Sequence, residues 1–210
     1  MTEIACHSRR RGWGCASACL VAFFLSTPSL KADPATDLLF FSGDLISGRG
    51  YAGGGWMHAF SGLDASGVIF SVEGGRPQGV MAYGAGQVGW RFVTNGIYLT
   101  FMGGLDAEPR LHPLASADLW WEPAQGWMAQ ARFEASTEWV SWRAATGWRP
   151  SDAWPWIGPE VASSAEWPRV GAHATGLKLP GDAEARVSAG ASWGQRRAGP
   201  YCEVSIWRRF

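Results

Sequence analysis

The chain has 210 residues, of which 17% are charged and 13% aromatic, and it contains 28 glycines and 14 tryptophans. This composition is poor in charge and rich in tryptophan for a protein surrounded by water, which indicates that much of its surface faces something else. Basic and acidic residues number 18 each. The chain therefore carries no basic field that would attract nucleic acid, and nucleic acid is excluded as a partner.

The N-terminal segment predicts export from the cytoplasm. Three arginines at 9–11 precede an apolar run over 18–25 and a small-residue cleavage point at Ala32, which is the order of a secretory signal peptide. The apolar run is too short to cross a bilayer, since a spanning helix needs about 20 residues. We therefore predict a signal peptide over 1–32 and a single domain over 33–210.

The positions of the cysteines indicate whether a disulfide can stabilise that domain. Cys6, Cys15 and Cys19 fall inside the predicted signal peptide, so Cys202 is alone in the remaining chain. No disulfide can form within the predicted domain. Its stability must come from an extended core or from closure of a β-sheet.

Beyond Ala32 no apolar stretch approaches 18 residues, so no transmembrane helix is predicted. The other structure that can span a membrane is a closed β-barrel, whose strands alternate apolar and polar residues over segments of about ten. Such alternation recurs along this chain. Ala131 and Ala189, for example, fall on apolar faces, while Gln130 and Ser188 fall on polar faces. The clearest segments are 67–75, 95–106, 125–136 and 183–194, and weaker ones are 50–60, 79–92, 139–149 and 168–179.

Turn signals separate these segments and set the strand count. They lie at 64–67, 74–79, 95–96, 123–126, 180–182 and 194–200. Residues 107–117, which contain Pro109 and Pro113, are predicted to form a connection. The count is about twelve strands, or ten if 38–46 or 154–163 is irregular, and a closed bacterial barrel favours an even number.

The polar faces carry charges of both signs at regular intervals. These residues are Glu73, Arg91, Arg132, Glu134, Arg143, Arg169 and Arg186. A barrel lumen lined by paired charges explains the pattern, but so does the solvated face of a soluble β-sandwich.

The C-terminus favours the barrel. Cys202, Val204, Ile206 and Phe210 share one face, and a terminal Phe on an amphipathic last strand resembles the assembly signal of outer-membrane barrels. Arg208 interrupts this face near its end, where a long cationic side chain can reach the membrane interface. The predicted fold is an all-β, antiparallel, up-and-down β-barrel of the outer-membrane type.

Few residues suggest chemistry. His173 and Thr175 share a strand face that is predicted to line the lumen, which is the pairing of base and nucleophile that covalent catalysis requires. However, the sequence has no G-x-S-x-G elbow or comparable motif. No catalytic residue is therefore predicted, and a lipid- or glycan-modifying enzyme that uses His173 is the alternative.

Metal and cofactor sites are not predicted either. His58, His112 and His173 are widely spaced, and Cys202 is alone, so no group has the spacing of metal ligands. The glycine runs at 53–55 and 74–75 lack the strand-to-helix context of a phosphate-binding loop.

Thirteen tryptophans follow the predicted signal peptide, and many lie near strand ends. These are Trp120, Trp121, Trp139, Trp142, Trp148, Trp154, Trp156, Trp167 and Trp193. Such tryptophans form either an aromatic belt at the membrane interface or a platform on which sugar rings stack. The belt is predicted, and residues at loop tips remain candidates for contact with glucan.

Several short motifs, in this order and spacing, carry a family resemblance. They are LFFSGD at 39–44, GLD at 104–106, DLWWEP at 118–123, GWR at 147–149, IGPEV at 157–161, RVGAHATGL at 169–177 and GPY at 199–201. Together they resemble the cellulose biosynthesis protein BcsS family. The resemblance implies a role in cellulose production or export and a location in the bacterial envelope, and it supplies no catalytic residue.

These inferences combine into an accessory, non-catalytic outer-membrane barrel of cellulose biosynthesis. Its expected partners are outer-membrane lipid and either glucan or components of the cellulose synthase. About twelve strands make a narrower barrel than the roughly 16 to 18 that leave a broad aqueous channel, so polymer export through the lumen is not expected. A generic structural barrel and a soluble periplasmic β-sandwich are the remaining alternatives.

Overall fold

Alternating side chains and tight turns fold this chain into antiparallel β-strands. The computed structural model describes residues 34–46, 49–78, 81–107, 110–164, 167–194 and 197–210. Within these ranges there are twelve strands: β1 (Asp37–Ile46), β2 (Arg49–Ala59), β3 (Gly67–Pro77), β4 (Tyr83–Thr94), β5 (Ile97–Ala107), β6 (Leu111–Trp121), β7 (Trp127–Ser136), β8 (Val140–Trp148), β9 (Trp156–Ser164), β10 (Trp167–Leu179), β11 (Ala183–Gly194) and β12 (Arg197–Arg209). The predicted signal peptide lies outside the described residues.

The strands close into an up-and-down barrel. Each strand pairs with its neighbours in the sequence, and β1 pairs antiparallel with β12 from Leu38 opposite Arg209 to Ile46 opposite Tyr201. Beyond this ladder, the amide of Phe210 donates to the carbonyl of Asp37 at 3.0 Å. Closure leaves no sheet edge unpaired. The predicted all-β barrel is confirmed, and the segments 38–46 and 154–163 are both largely strand.

Short turns fix the register between strands. At the Asn95-Gly96 turn both residues have positive φ, 45° and 76°, as the type I′ turn of a two-residue hairpin requires. The Pro180 to Asp182 turn similarly places Gly181 and Asp182 at φ 75° and 60°.

Three of the predicted connections are too long, including 194–200, since β12 begins at Arg197. β3 continues through Gly74 and Gly75 to Pro77, and β6 begins at Leu111, inside the predicted 107–117 connection. Pro113 is tolerated because the β6–β7 ladder starts only at Leu114, so β6 has a single neighbour at this point. A proline near a strand end therefore does not mark a loop.

The register places apolar side chains on the outside and most charged side chains in the lumen. Large apolar residues on the outer face are well exposed, among them Val88 at 56% and Phe101 at 50%. Ala131 and Ala189 face outward, and Cys202 is an exposed free thiol on the same face. The described part of the chain contains no helix long and apolar enough to cross a membrane.

The two ends of the barrel differ, and we name them by the chain. The terminal end contains the start of β1 and the end of β12, and the distal end contains the β1–β2 and β3–β4 connections. At the terminal end, Ala59, Leu63 and Ile69 form a small apolar core inside the barrel, against which Leu38 and Met57 pack. This core fills the lumen beside β1–β3.

Candidate functional site

The lumen contains a cavity of about 1040 Å³ that is lined by inward-facing residues of all twelve strands. Its lining extends from Tyr83 and Trp167 near the distal end to Trp207 and Arg209 at the terminal end. The cavity therefore runs along the barrel axis. Its volume is close to the upper limit for ligand-binding pockets, about 1,000 Å³.

One side of the lumen is filled by ion pairs, and we call it the paired wall. It consists of Arg143, Glu160, Arg169, Arg186 and Glu203, on β8 to β12. Nη2 of Arg143 donates to Oε1 of Glu203 at 2.5 Å, and Nη2 of Arg169 lies 3.1 Å from Oε2 of Glu203. Arg186 donates to Glu160, and Nε of Arg143 lies 3.7 Å from Oε2 of Glu160.

Neutral groups add hydrogen bonds to the buried carboxylate of Glu160. The hydroxyl of Tyr201 donates to Glu160 at 3.1 Å, and that of Ser188 donates to the same carboxylate at 3.2 Å. Glu160 has no exposed side-chain surface. Burying a carboxylate is tolerated only where its lone pairs are met in this way, since an unpaired buried charge costs several kcal/mol.

The paired wall also crosses the lumen. Arg143 on β8 reaches Glu203 on β12, and Nη1 of Arg186 on β11 donates to Oε1 of Gln130 on β7 at 2.5 Å. These side chains join strands that are not neighbours in the sheet. They act as struts that hold this half of the barrel cross-section closed.

The opposite side, the inward face of β2 to β7, is less densely paired, and we call it the open wall. Nη2 of Arg132 donates to Oε1 of Glu134 at 2.6 Å, and the Arg132 side chain is 46% exposed to the lumen. Nη1 of Arg91 donates to the carbonyl of Leu63 at 2.8 Å. Glu73 and Asp118 line the cavity from the same side.

Two tyrosines of the open wall lie flat on a floor of glycines. The rings of Tyr51 and Tyr83 have an interplanar angle of 17° and centroids 6.2 Å apart, and their hydroxyl oxygens are 2.7 Å apart. A Cβ on Gly75 would lie 2.7 Å from Cε2 of Tyr51 and 2.9 Å from Cε1 of Tyr83. Both rings therefore lie close to the β3 backbone at Gly75, where no side chain intervenes. A Cβ on Gly53 would also collide with the Tyr51 ring.

At the terminal end, Trp120 and Trp156 meet across the lumen. Their ring centroids are 5.3 Å apart with an interplanar angle of 83°, and the guanidinium carbon of Arg149 lies 3.7 Å from the Trp156 ring centre. A β-bulge at Gly176, where φ is +81°, leaves room for this ring, since a Cβ there would lie 3.1 Å from Cζ3 of Trp156. The Trp156 ring therefore has contacts with Trp120, Arg149 and Gly176.

The tryptophans divide between the two faces of the barrel. On the outer face they include Trp90, Trp121, Trp127, Trp142, Trp148 and Trp193, all more than 40% exposed. Trp120, Trp156, Trp167 and Trp207 line the lumen instead. The predicted aromatic belt at the membrane interface therefore includes only some of these tryptophans. The signal was present at Trp120-Trp121, because adjacent residues of one strand must face opposite sides.

His173 and Thr175 lie on the lumen side of β10, and the structure brings them together. Nδ1 of His173 is 2.8 Å from the Thr175 hydroxyl, and Nε2 is 3.0 Å from the carbonyl oxygen of Thr146. A carbonyl only accepts, so Nε2 carries a hydrogen here and Nδ1 of the neutral ring accepts from Thr175. His173 is 2% and Thr175 is 3% exposed, so the pair is packed within the paired wall.

The remaining histidines make separate local contacts. Nδ1 of His58 lies 3.0 Å from Oδ1 of Asp37, and Nδ1 of His112 lies 2.9 Å from the Thr137 hydroxyl. Among the described residues, no three His, Cys, Asp or Glu side chains are grouped as a metal ion would need.

Comparison with solved structures supports the barrel. The chain is similar to the KdgM porin in complex with disordered oligogalacturonate, with a TM-score of 0.59 and 10% sequence identity over 82% of this chain and 99% of that chain. At this identity the likeness is one of fold. Comparison with curated protein sequences gives no match.

Comparison with family models gives a match over the C-terminal part of the barrel. Residues 114–210 match the model described as cellulose biosynthesis protein BcsS. The match covers five of the seven motifs, from DLWWEP to GPY, whereas LFFSGD and GLD precede it. From β6 to β12 the chain is therefore similar in sequence to the cellulose biosynthesis protein BcsS family, and the resemblance predicted from the motifs is confirmed there.

Proposed function

We propose that this chain is an accessory, non-catalytic barrel of the bacterial outer membrane that serves cellulose biosynthesis. The observation that carries the location is the outer face, where exposed apolar side chains follow a closed sheet. Such a face is stable in hydrocarbon, because closure satisfies every ladder hydrogen bond within the sheet. The BcsS match supports the pathway.

The lumen supports an accessory role better than passage of the polymer. The struts from Arg143 to Glu203 and from Arg186 to Gln130 cross one half of the barrel. Opening that half would separate buried charges from their partners, which costs about 3–5 kcal/mol for each broken pair. The barrel therefore acts beside the secretion route. It either contacts components of the cellulose synthase or binds a ligand in its lumen.

Two measurements test the proposal. The protein is expected in the outer-membrane fraction, with electrophoretic mobility that changes on heating, and recovery from the soluble periplasm would contradict the location. Deletion of the gene is expected to lower the amount of cellulose at the cell surface. Normal surface cellulose in the deletion strain would contradict the pathway.

The contact between His173 and Thr175 favours one alternative, an acyl- or glycosyl-transferring barrel with Thr175 as the nucleophile. Burial of both groups argues against it, because a substrate carbonyl or anomeric carbon must reach the hydroxyl oxygen. If this alternative holds, the protein modifies envelope lipid or glucan, and His173→Ala abolishes that modification. The variant would still fold into a heat-modifiable barrel. Identical lipid and glucan profiles in the deletion and wild-type strains would remove it.

A further inference from the structure

We propose that Tyr51 and Tyr83 form a stacking platform inside the lumen for a neutral, β-linked glucan segment. This inference rests on the proposed role in cellulose biosynthesis and names the ligand of the barrel. The platform lies on β2 and β4, outside the residues that match the BcsS family.

The first argument is the shape of the platform. The two ring planes are 17° from parallel with centroids 6.2 Å apart, and the hydrogen bond between their hydroxyls fixes them relative to each other. Both rings come close to the β3 backbone at Gly75, which has no side chain to hold them away from the sheet. Both residues line the cavity. The platform is therefore flat, rigid and directed toward the lumen.

The second argument is the chemistry of the ligand. Flat apolar patches in a protein cavity bind flat apolar partners, and a few polar groups fix their orientation. A pyranose with all its hydroxyls equatorial offers C–H groups on its two faces and hydroxyls around its rim. Successive β-linked residues of this kind form a ribbon that can cover both rings.

The third argument is the charge around the platform. Asp44 is the register partner of Tyr51 and lies 3.9 Å from the Arg169 guanidinium, while Glu73 and Asp106 lie along the same inward face. Carboxylate oxygens accept hydrogen bonds from sugar hydroxyls but repel a carboxylated sugar. Arg132, a cation of this wall, is already paired with Glu134. Because Glu73 and Asp106 oppose the carboxylate of an acidic sugar, we expect neutral glucan to bind more tightly than an acidic oligosaccharide such as oligogalacturonate.

The test is saccharide binding to the purified full-length barrel in detergent, measured by calorimetry. Cellohexaose is expected to bind, and maltohexaose and oligogalacturonate are expected to bind at least about tenfold more weakly. Tyr83→Ala is expected to weaken cellohexaose binding about tenfold, the upper range for one aromatic contact. The matched control is Phe92→Ala, which removes an exposed aromatic ring from the outer face of the same strand.

Folding is monitored by heat-modifiable migration, and the double variant Tyr51→Phe, Tyr83→Phe guards against misfolding. It keeps both rings and is expected to retain most of the affinity. Absence of cellohexaose binding to the wild type would overturn the platform while leaving the cellulose phenotype of the deletion strain intact. Binding that persists in folded Tyr83→Ala would place the glucan elsewhere, and equal binding of oligogalacturonate would overturn the selection for neutral sugar.

Discussion

Both walls of the lumen contain arginine and glutamate, but the two walls have different roles. On the paired wall, Glu160 and Arg186 are buried and every carboxylate meets at least one guanidinium or hydroxyl. On the open wall, Arg132 remains half exposed and the Tyr51 and Tyr83 rings face the cavity. Charge alone therefore does not define a binding surface. Charges that are paired with each other stabilise the barrel. Aromatic surface that lies over glycines and faces the cavity is available to a ligand.

The largest expected effect comes from breaking the paired wall. Glu160→Ala removes the acceptor shared by Arg186, Tyr201 and Ser188 and leaves buried cationic charge uncompensated. We expect a loss of about 3–5 kcal/mol in the free energy of unfolding, measured by urea titration in detergent micelles. Glu73→Gln on the open wall is the matched control, with an expected loss below about 1 kcal/mol. Equal losses in the two variants would erase the distinction between the walls.

The outer face gives the next effect. Ala131→Arg places a guanidinium near the middle of β7 on the apolar side and is expected to cost about 2–4 kcal/mol when the barrel is in a bilayer. Ala131→Leu is expected to be tolerated, because the side chain points away from the lumen, whereas the same change would overpack the core of a sandwich by about 1–3 kcal/mol. Unfolding titrations in lipid vesicles measure both. A severe loss for Ala131→Leu would argue against a lipid-facing position.

The glycine floor of the open wall gives a comparable but more local effect. Gly75→Ala inserts a methyl group beneath the two tyrosine rings and is expected to cost about 1–3 kcal/mol, with partial rescue by Tyr83→Ala. Gly86→Ala is the control, because nothing lies within 4 Å of a Cβ at that position. A double-mutant cycle on unfolding free energies measures the coupling. Additive effects would mean that the rings do not rest on Gly75.

The smallest effect is expected at the rim. Lys178 and Glu184 form an ion pair in which the lysine side chain is 72% exposed. Lys178→Met should therefore change the unfolding free energy by less than about 1 kcal/mol, and added salt should remove the difference. A larger, salt-independent loss would mean that the rim is structured like the paired wall.

The barrel could be predicted from the sequence because its main determinants are local. Period-two alternation at Ala131 and Arg132 assigns each side chain to a face, and the Asn95-Gly96 pair specifies a type I′ turn. The connection predicted around Pro113 is wrong because the effect of a proline is not determined locally. Whether a proline breaks a strand depends on whether both neighbouring strands are present, and β7 already ends opposite Leu114.

The composition of the two walls could not be predicted in the same way. Inward positions of Arg143 and Glu203 follow from alternation, but their pairing depends on which strands meet across the lumen. The glycines at 53 and 75 were read only as strand or turn residues. Their position next to the Tyr51 and Tyr83 rings depends on the register of β2, β3 and β4. That register is determined by pairing between strands and cannot be derived from one segment.

The ladder between β1 and β12 differs from every other ladder in this barrel. Eleven ladders join strands that are adjacent along the chain, so each can form as a hairpin, whereas the pairing of Leu38 with Arg209 joins the first and last strands. Contacts of such long sequence separation form slowly. Until they form, β1 and β12 expose backbone donors and acceptors that can recruit strands from other chains. We therefore expect closure to be the last step of folding and the step at which aggregation competes.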